Sequence, residues 1–487
     1  MPDQTHIPKS SSWKPKPGDR VVRHPRAEQM SPVKLTVQAQ RAQSRALASP
    51  LIIGYVFLGM ITIGTILLMM PFSHHGTGLA PFVDSLFTAT SATTVTGLIT
   101  QDTATYWTRT GQIVILSLVF TGGLGFMTLA TFLMVLIGQR VSLSQRILVK
   151  DSLGTDKMGG LVRLTVGIVL ATTAIQIIGF IALLTKFSLM YSLPEAIWQS
   201  VFHAVSGFNS AGFTVLPEGT SLASVQKDKT ILAIMASLIV VGSISYWVMV
   251  DVVKHRRFSL LTLNTKLVLI LTSVLIALGT MVFFFSEYNN DTLIDLDLSD
   301  KIIVSVFESI SGRTAGFSTV SHADTEQHTN FFFAAMMFVG GASASVAGGI
   351  KVNTVAVVLV AVLSTIRGSR NASAFGREIP QVQVQRAISM VAIAAMFVFL
   401  VALILTFSQN ASGNQFAFID LLFESVSAAG TVGLSTGLTS DLSKWGHIIL
   451  IVTMYLGRIG PLMLGLYMAE SNERDLYRYA QERAVIG

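Results

Sequence analysis

Cysteine is absent from this chain of 487 residues, and charge is scarce: Asp, Glu, Lys and Arg together make up 13%. Without cysteine there is neither a disulfide framework nor a thiolate metal site. A soluble chain of this length carries about a quarter charged residues and divides into two or three domains. Here 51% of residues are apolar and the mean hydropathy is +0.61, so much of the surface must face lipid. There is also no G-x-G-x-x-G and no phosphate-binding loop. The chain therefore carries no recognisable nucleotide site and no cofactor is expected. A membrane enzyme would need His, Asp or Glu clustered near one face, and the apolar runs are almost free of them.

The net charge of +7 is unevenly placed. Residues 1–50 hold four Lys and five Arg against Asp3, Asp19 and Glu28. This stretch is rich in Pro, Ser and Gln and poor in large apolar residues, so residues 1–49 read as a disordered basic tail that touches anionic lipid or docks a partner. No short apolar core follows Met1, so the tail does not read as a signal peptide.

About 20 apolar residues cross a bilayer as a helix. Eight stretches qualify: 50–71, 111–138, 163–185, 230–253, 264–286, 329–364, 386–407 and 446–469. Between the members of each pair lies a stretch too short to span: 81–92, 195–206, 299–311 and 416–428. Each opens near an acid or a proline and ends in small residues and Gly, as a re-entrant half-helix should. Lys and Arg gather on one side, in the tail, in Arg140/Arg146/Lys150/Lys157/Arg163, in Lys254/Arg256/Arg257, in Arg367/Arg370/Arg377/Arg386 and in Arg474/Arg478/Arg483. The other side has acidic loops such as Glu287/Asp291/Asp295/Asp297/Asp300. The basic side is expected to be cytoplasmic and to hold both termini.

Four segments repeat. Each has a Phe (Phe87, Phe202, Phe307, Phe423), then nine or ten residues later a Gly followed by Leu or Phe: Gly97-Leu98, Gly212-Phe213, Gly316-Phe317 and Gly433-Leu434. The glycines are 115, 104 and 117 residues apart. A second mark follows 24–30 residues after each: Gly122-Gly123, Gly242-Ser243, Gly340-Gly341 and Gly457-Arg458. The unit is helix, half-helix, Gly turn, helix, and four units in one orientation can surround a single axis. The predicted fold is an all-α membrane protein of eight spans. Its repeats cover 50–138, 160–254, 264–366 (with an intramembrane loop) and 386–487.

Irregular backbone at membrane depth is tolerated where it is buried or lines a water-filled path. A single Gly turn of this kind is ordinary helix capping. Four in register after matching half-helices can aim rings of carbonyl oxygens at a dehydrated cation, aided by the negative ends of the half-helices.

On Thr94-Val95-Thr96-Gly97, Asn209-Ser210-Ala211-Gly212, Arg313-Thr314-Ala315-Gly316 and Gly430-Thr431-Val432-Gly433, the chain resembles the Trk/Ktr/HKT superfamily of potassium transporters, closely its Ktr-type transmembrane subunit. Having no extra helical pair before the first repeat is also similar to that type. The resemblance covers about residue 50 to the end. It implies that those sixteen residues line a potassium filter, with potassium as substrate rather than cofactor. Gly97 stands where sodium-preferring relatives carry Ser, which favours potassium. The resemblance further implies a homodimer in the inner (cytoplasmic) membrane, resting on a cytosolic ring of nucleotide-binding, RCK-type regulatory subunits. Lys254–Arg257 and Arg367–Arg386 suit that ring or lipid headgroups, and no nucleic acid is expected.

Two charges fall well inside spanning runs, Lys351 and Arg458, and such charges are functional candidates by default. The sixth span is interrupted by Gly340-Gly341-Ala342-Ser343-Ala344-Ser345-Val346-Ala347-Gly348-Gly349, a poor helix. Close helix packing would use the same small residues. By resemblance this run is the loop under the filter that gates flux, with Arg458 near it. Pairing of Arg458 with Glu308 or Glu424 is the plainer reading. His203, His74 and His75 lack metal-ligand company. Asn371-Ala372-Ser373 has the glycosylation pattern but falls on the inner side. Two other readings stay open: a sodium-permeable relative of the same architecture, and a secondary transporter with a midplane site.

Overall fold

A computed structural model describes residues 51–124, 161–217, 221–369 and 371–470. These lie in the compact unit Leu47–Gly487. The basic tail, the inner loop Arg140/Arg146/Lys150/Lys157, residues 125–138 of the second apolar run, Arg370, and Arg474/Arg478/Arg483 are outside the described residues.

Among the described residues the regular structure is helical, apart from one two-stranded hairpin, β1 (Ser373–Ala374) with β2 (Arg377–Glu378). In order the helices are α1 (Leu51–Met69), α2 (Phe82–Thr94), α3 (Arg109–Leu124), α4 (Leu161–Met190), α5 (Leu193–Asn209), α6 (Lys229–Ser243) and α7 (Tyr246–His255). They continue with α8 (Leu263–Glu287), α9 (Leu298–Thr314), α10 (Gln327–Met337), α11 (Val352–Ile366), α12 (Gln381–Ala411), α13 (Phe418–Gly430) and α14 (Lys444–Glu470). At 1.5 Å per residue a helix of 25 residues such as α8 is about 37 Å long, enough to cross hydrocarbon about 30 Å thick. Among the described residues α4, α8 and α12 are long and apolar enough by themselves, and α6 with α7 adds a fourth if counted as one bent span.

Start signals are local. Asp228 Oδ1 accepts from Thr230 N (2.9 Å) and Ile231 N (3.1 Å) to cap α6, satisfying donors that the first turn leaves free. Thr262 caps α8. Its backbone N–H and hydroxyl, and the Thr265 hydroxyl, all donate to Asp251 of α7 at 2.6–3.0 Å, fastening α7 to the start of α8.

Two runs expected as spans are broken. One is the glycine-rich run, which separates α10 from α11. The other went unforeseen: α6 and α7 meet at 98° at Ser243–Ser245. Ser245 is the reason, since its hydroxyl accepts from Val248 N and starts a new helix. Apolar continuity hid this bend, because hydropathy does not register a cap.

All the described helices but α7 and α11 pack in four groups of three, each short helix (α2, α5, α9, α13) between a preceding and a following helix. The groups then close on one another. Helix α3 packs on α5, α6 on α9, α10 on α13, and α14 returns to α2. The main core joins Phe208, Phe283, Phe307, Phe333 and Phe423 from three groups. The outward residues of α12, among them Met396, Phe399, Leu400 and Phe407, are exposed, as a bilayer-facing helix requires.

Candidate functional site

The four glycine turns lie where the short helices end. Helices α2, α5 and α13 stop alike: Val95, Ser210 and Thr431 take left-handed φ of 57°, 56° and 49°. Their N–H groups reach back to Ala92, Gly207 and Ala428, and the next residues (Thr96, Ala211, Val432) donate to Ser91, Ser206 and Ser427 carbonyls at 2.8–2.9 Å. A left-handed non-glycine residue costs about 1–2 kcal/mol, so these three turns are held by their surroundings rather than by preference.

Helix α9 differs. Ala315 has φ −125°, and both Ala315 N and Gly316 N donate to the Ser311 carbonyl. The cause is a missing residue: nine positions separate Phe307 from Gly316, against ten in the other groups. The left-handed step is what that residue would have supplied.

The glycines form a closed ring. Gly97, Gly212, Gly316 and Gly433 have φ of 97°, 70°, 71° and 95°. A side chain on Gly97 would run into the carbonyl oxygen of Ala211; on Gly212, that of Ala315; on Gly316, that of Val432; on Gly433, that of Thr96. Each glycine thus abuts the carbonyl preceding the next glycine, in cyclic order back to the first. Here glycine is required twice over, by conformation and by space.

One serine per short helix, four residues after the repeated Phe, holds its turn from behind. Ser91 Oγ accepts from Gly97 N (3.0 Å) and Ser427 Oγ from Gly433 N (3.1 Å). Ser206 and Ser311 instead donate to the carbonyls of Phe213 (2.8 Å) and Phe317 (2.5 Å). Sequence reasoning passed over these serines, although their register behind each Phe was visible.

The residue just after each Phe is Thr88, His203, Glu308 or Glu424, all buried. The two acids cap the chain leaving the ring. Glu308 accepts from Thr319 N (2.6 Å) and Thr319 Oγ1 (2.7 Å), with His322 Nε2 at 3.4 Å. Glu424 accepts from Ser435 Oγ, Thr436 N (3.2 Å) and Thr439 Oγ1 (2.6 Å). They are structural acceptors, and Arg458 pairs with neither.

The Arg313 side chain is buried and leaves the ring: its guanidinium meets Thr272 Oγ1 (3.4 Å) on α8 and Ser243 Oγ (3.3 Å) at the α6–α7 bend. Burying a charge without a carboxylate is costly. It makes a third cation at depth, beside Lys351 and Arg458, and it lies on a short helix rather than in a spanning run.

The glycine-rich run from Gly340 to Gly349 is a docked loop. Gly340 N donates to Ile350 O (2.8 Å) and Val352 N to Gly341 O (3.0 Å), tying its two ends together. Ala342 N donates to Ser243 O (2.9 Å), and Ser343 N to Asn353 Oδ1 (2.8 Å). Gly348 lies against the Thr431 side chain and Gly349 against Gly430, so the loop sits beneath the fourth turn. Lys351 Nζ bonds Ala347 O (2.5 Å). Arg458 donates to Val346 O (2.7 Å) in the loop and to Gly122 O (3.0 Å) at the end of α3. Ala344 and Ser345 complete the run, Ala344 with φ 61°. Through Arg458 the loop is thus linked to elements of all four groups. Among the described residues no group of three His, Cys, Asp or Glu could hold a metal ion.

A family model described as cation transport protein, TrkH, matches residues 30–475. The chain belongs to the TrkH family of cation transport proteins. Curated relatives include Ktr system potassium uptake protein B of Bacillus subtilis, 37% identical over 90% of this chain and 96% of that protein. The protein of the same name from Vibrio alginolyticus is 35% identical, covering 90% and 95%. The potassium/sodium uptake protein NtpJ of Enterococcus hirae is 32% identical, covering 93% and 100%. Among solved structures, the crystal structure of the potassium transporter TrkH from Vibrio parahaemolyticus superposes with a TM-score of 0.65, covering 91% of this chain and 87% of that one at 16% identity. The chain is therefore a multi-pass membrane transporter and not an enzyme.

Proposed function

We propose that this chain takes up potassium across the cytoplasmic membrane through the ring of glycine turns. The observation that carries this is the cyclic abutment of Gly97, Gly212, Gly316 and Gly433 on the carbonyls of Ala211, Ala315, Val432 and Thr96. Carbonyl oxygens gathered about one axis replace the water shell of a dehydrated cation. The filter comprises the backbone of 94–97, 209–212, 313–316 and 430–433. The Arg313 side chain stands behind it and contributes no ligand.

In this reading each helix group is one pore repeat, and the eight spans are the apolar runs that hold α1, α3, α4, α6 with α7, α8, α10 with α11, α12 and α14. The repeats then run 50–138, 160–254, 264–366 and 386–487, after a basic tail at 1–49, with both termini cytoplasmic. The loop Gly340–Gly349, held by Arg458 beside Lys351, is the gate: it lies below the ring and must shift for an ion to pass. Two relatives are named as protein B of a Ktr system, a name that fits work alongside a further component; in this reading the chain is a homodimer governed by a cytosolic nucleotide-binding ring docked on Lys254–Arg257 and Arg367–Arg386.

A second reading, permeation of both potassium and sodium, is favoured by the relative named for both ions and by the shortened third turn. Ion uptake into proteoliposomes at a clamped potential separates the two. Flux that follows potassium and excludes sodium is expected; equal flux of both would leave the pore and remove the selectivity. Absence of flux in protein reconstituted with its cytosolic partner would overturn the pore reading.

A further inference from the structure

A cavity of about 220 Å³ opens beside the glycine-rich loop, between α12 and α14. Helix α12 supplies Met390, Ala394 and Phe397 to one wall, and Gly349 and Ile350 of the loop form the other. Gly430 and Gly457 lie at its inner end. No side chain in its lining has an N–H, an O–H or an oxygen atom. An apolar cavity of about 150 Å³ stays dry and accepts a hydrocarbon guest, so water and polar solutes are poor occupants here.

The position of the mouth settles which apolar guest is at hand. Ile393 and Leu456, 36% and 42% exposed, flank it, and the neighbouring face of α12 continues with exposed Met396, Phe399 and Leu400. In a family of multi-pass transporters this face meets the bilayer. The phase in contact with the opening is hydrocarbon, and a flexible linear chain can thread between two helices.

We infer that this cavity takes the acyl chain of a membrane lipid, whose end rests on Gly349 and Ile350. Ile350 accepts the Gly340 N–H that ties the loop ends together, and Gly349 lies against Gly430 at the start of the fourth turn. The guest therefore supports the loop in its docked arrangement from the lipid side. Its influence on ion flux rests on the gate reading above, whereas its binding does not.

Photolabelling tests the binding directly. The full chain is reconstituted in vesicles of a phospholipid with a diazirine in mid-chain, irradiated, and the labelled residues are mapped by mass spectrometry. Label is expected on Gly349–Ile350 as well as on Phe399 and Phe407 of the exposed face. In Ala394→Trp, which fills the cavity, loop label should fall several-fold while Phe399 and Phe407 keep theirs. In Phe397→Ala, which enlarges it, loop label should rise, and this variant serves if the tryptophan form does not fold. An unlabelled loop beside labelled Phe399 and Phe407, as when a second copy of the chain covers the mouth, would overturn the inference. So would loop label indifferent to both substitutions. Loss of loop label in Ala394→Trp with potassium flux unchanged keeps the site and counts against the gate reading instead.

Discussion

At Gly316 two constraints coincide: φ of 71° and a carbonyl, that of Val432, where a side chain would go. Gly316→Ser must displace that carbonyl, so it should lower the potassium-over-sodium uptake ratio while the protein still reaches the membrane. An unchanged ratio would remove the third turn from the filter. Ser427 makes a quieter contribution. Ser427→Ala leaves Gly433 N buried without its acceptor, a loss of about 1–3 kcal/mol; a lowered unfolding temperature in detergent, alongside weakened selectivity, is the expected pair of readings. The glycines were legible because each is followed by Leu or Phe at a fixed distance from a Phe. The serines were equally regular but share their type with many capping and packing residues, so register alone did not single them out. The burial of Arg313 was not legible, since its helix ends in small residues that read as a turn and gave no sign of which way the side chain would leave.

The elements divide into those that hydropathy reveals and those that hydrogen bonds create. The long helices α4, α8 and α12 announce themselves by composition, and the short helices by their acid or proline starts; each ends two or three residues later than expected because its last turn is tied to the serine carbonyl or to the carbonyl three residues back. The α6–α7 bend depends on one hydroxyl, Ser245. The loop Gly340–Gly349 was visible as an interruption, though not its docking on Ser243 and Thr431, which are remote in sequence. Deleting Ala342–Val346 removes the partner of one Arg458 bond and the contact with Ser243. Faster potassium flux from well-folded protein is expected, and unchanged or slower flux would mean the loop is no barrier. Glu424 belongs at this scale too, since it joins α13 to the segment Ser435–Thr439. Glu424→Ala strands Thr436 N and should destabilise the protein by about 1–3 kcal/mol, read as a lower midpoint of thermal unfolding.

Across the whole molecule the closed circuit of helix pairs, α3 on α5 through α14 on α2, matches the circuit of glycines on carbonyls. Neighbouring sites in such a circuit share atoms and opposite ones share fewer. Double substitution cycles on selectivity should therefore find strong coupling for Gly97 with Gly212 and near-additivity for Gly97 with Gly316. Equal coupling for both pairs would mean that the ring yields as a single body. The count of four groups was readable from spacing. Their cyclic order was not, since any arrangement around an axis satisfies the same periodicity.

The third turn, one residue short, has a consequence for how such a pore can change. In an assembly of four identical chains, any deletion is copied into every quadrant, and the aperture must stay square or fail. In the proposed pore the quadrants are encoded separately along one polypeptide, so one side can be a residue shorter than the other three. Separate inheritance of the four sides lets the aperture be adjusted a quarter at a time.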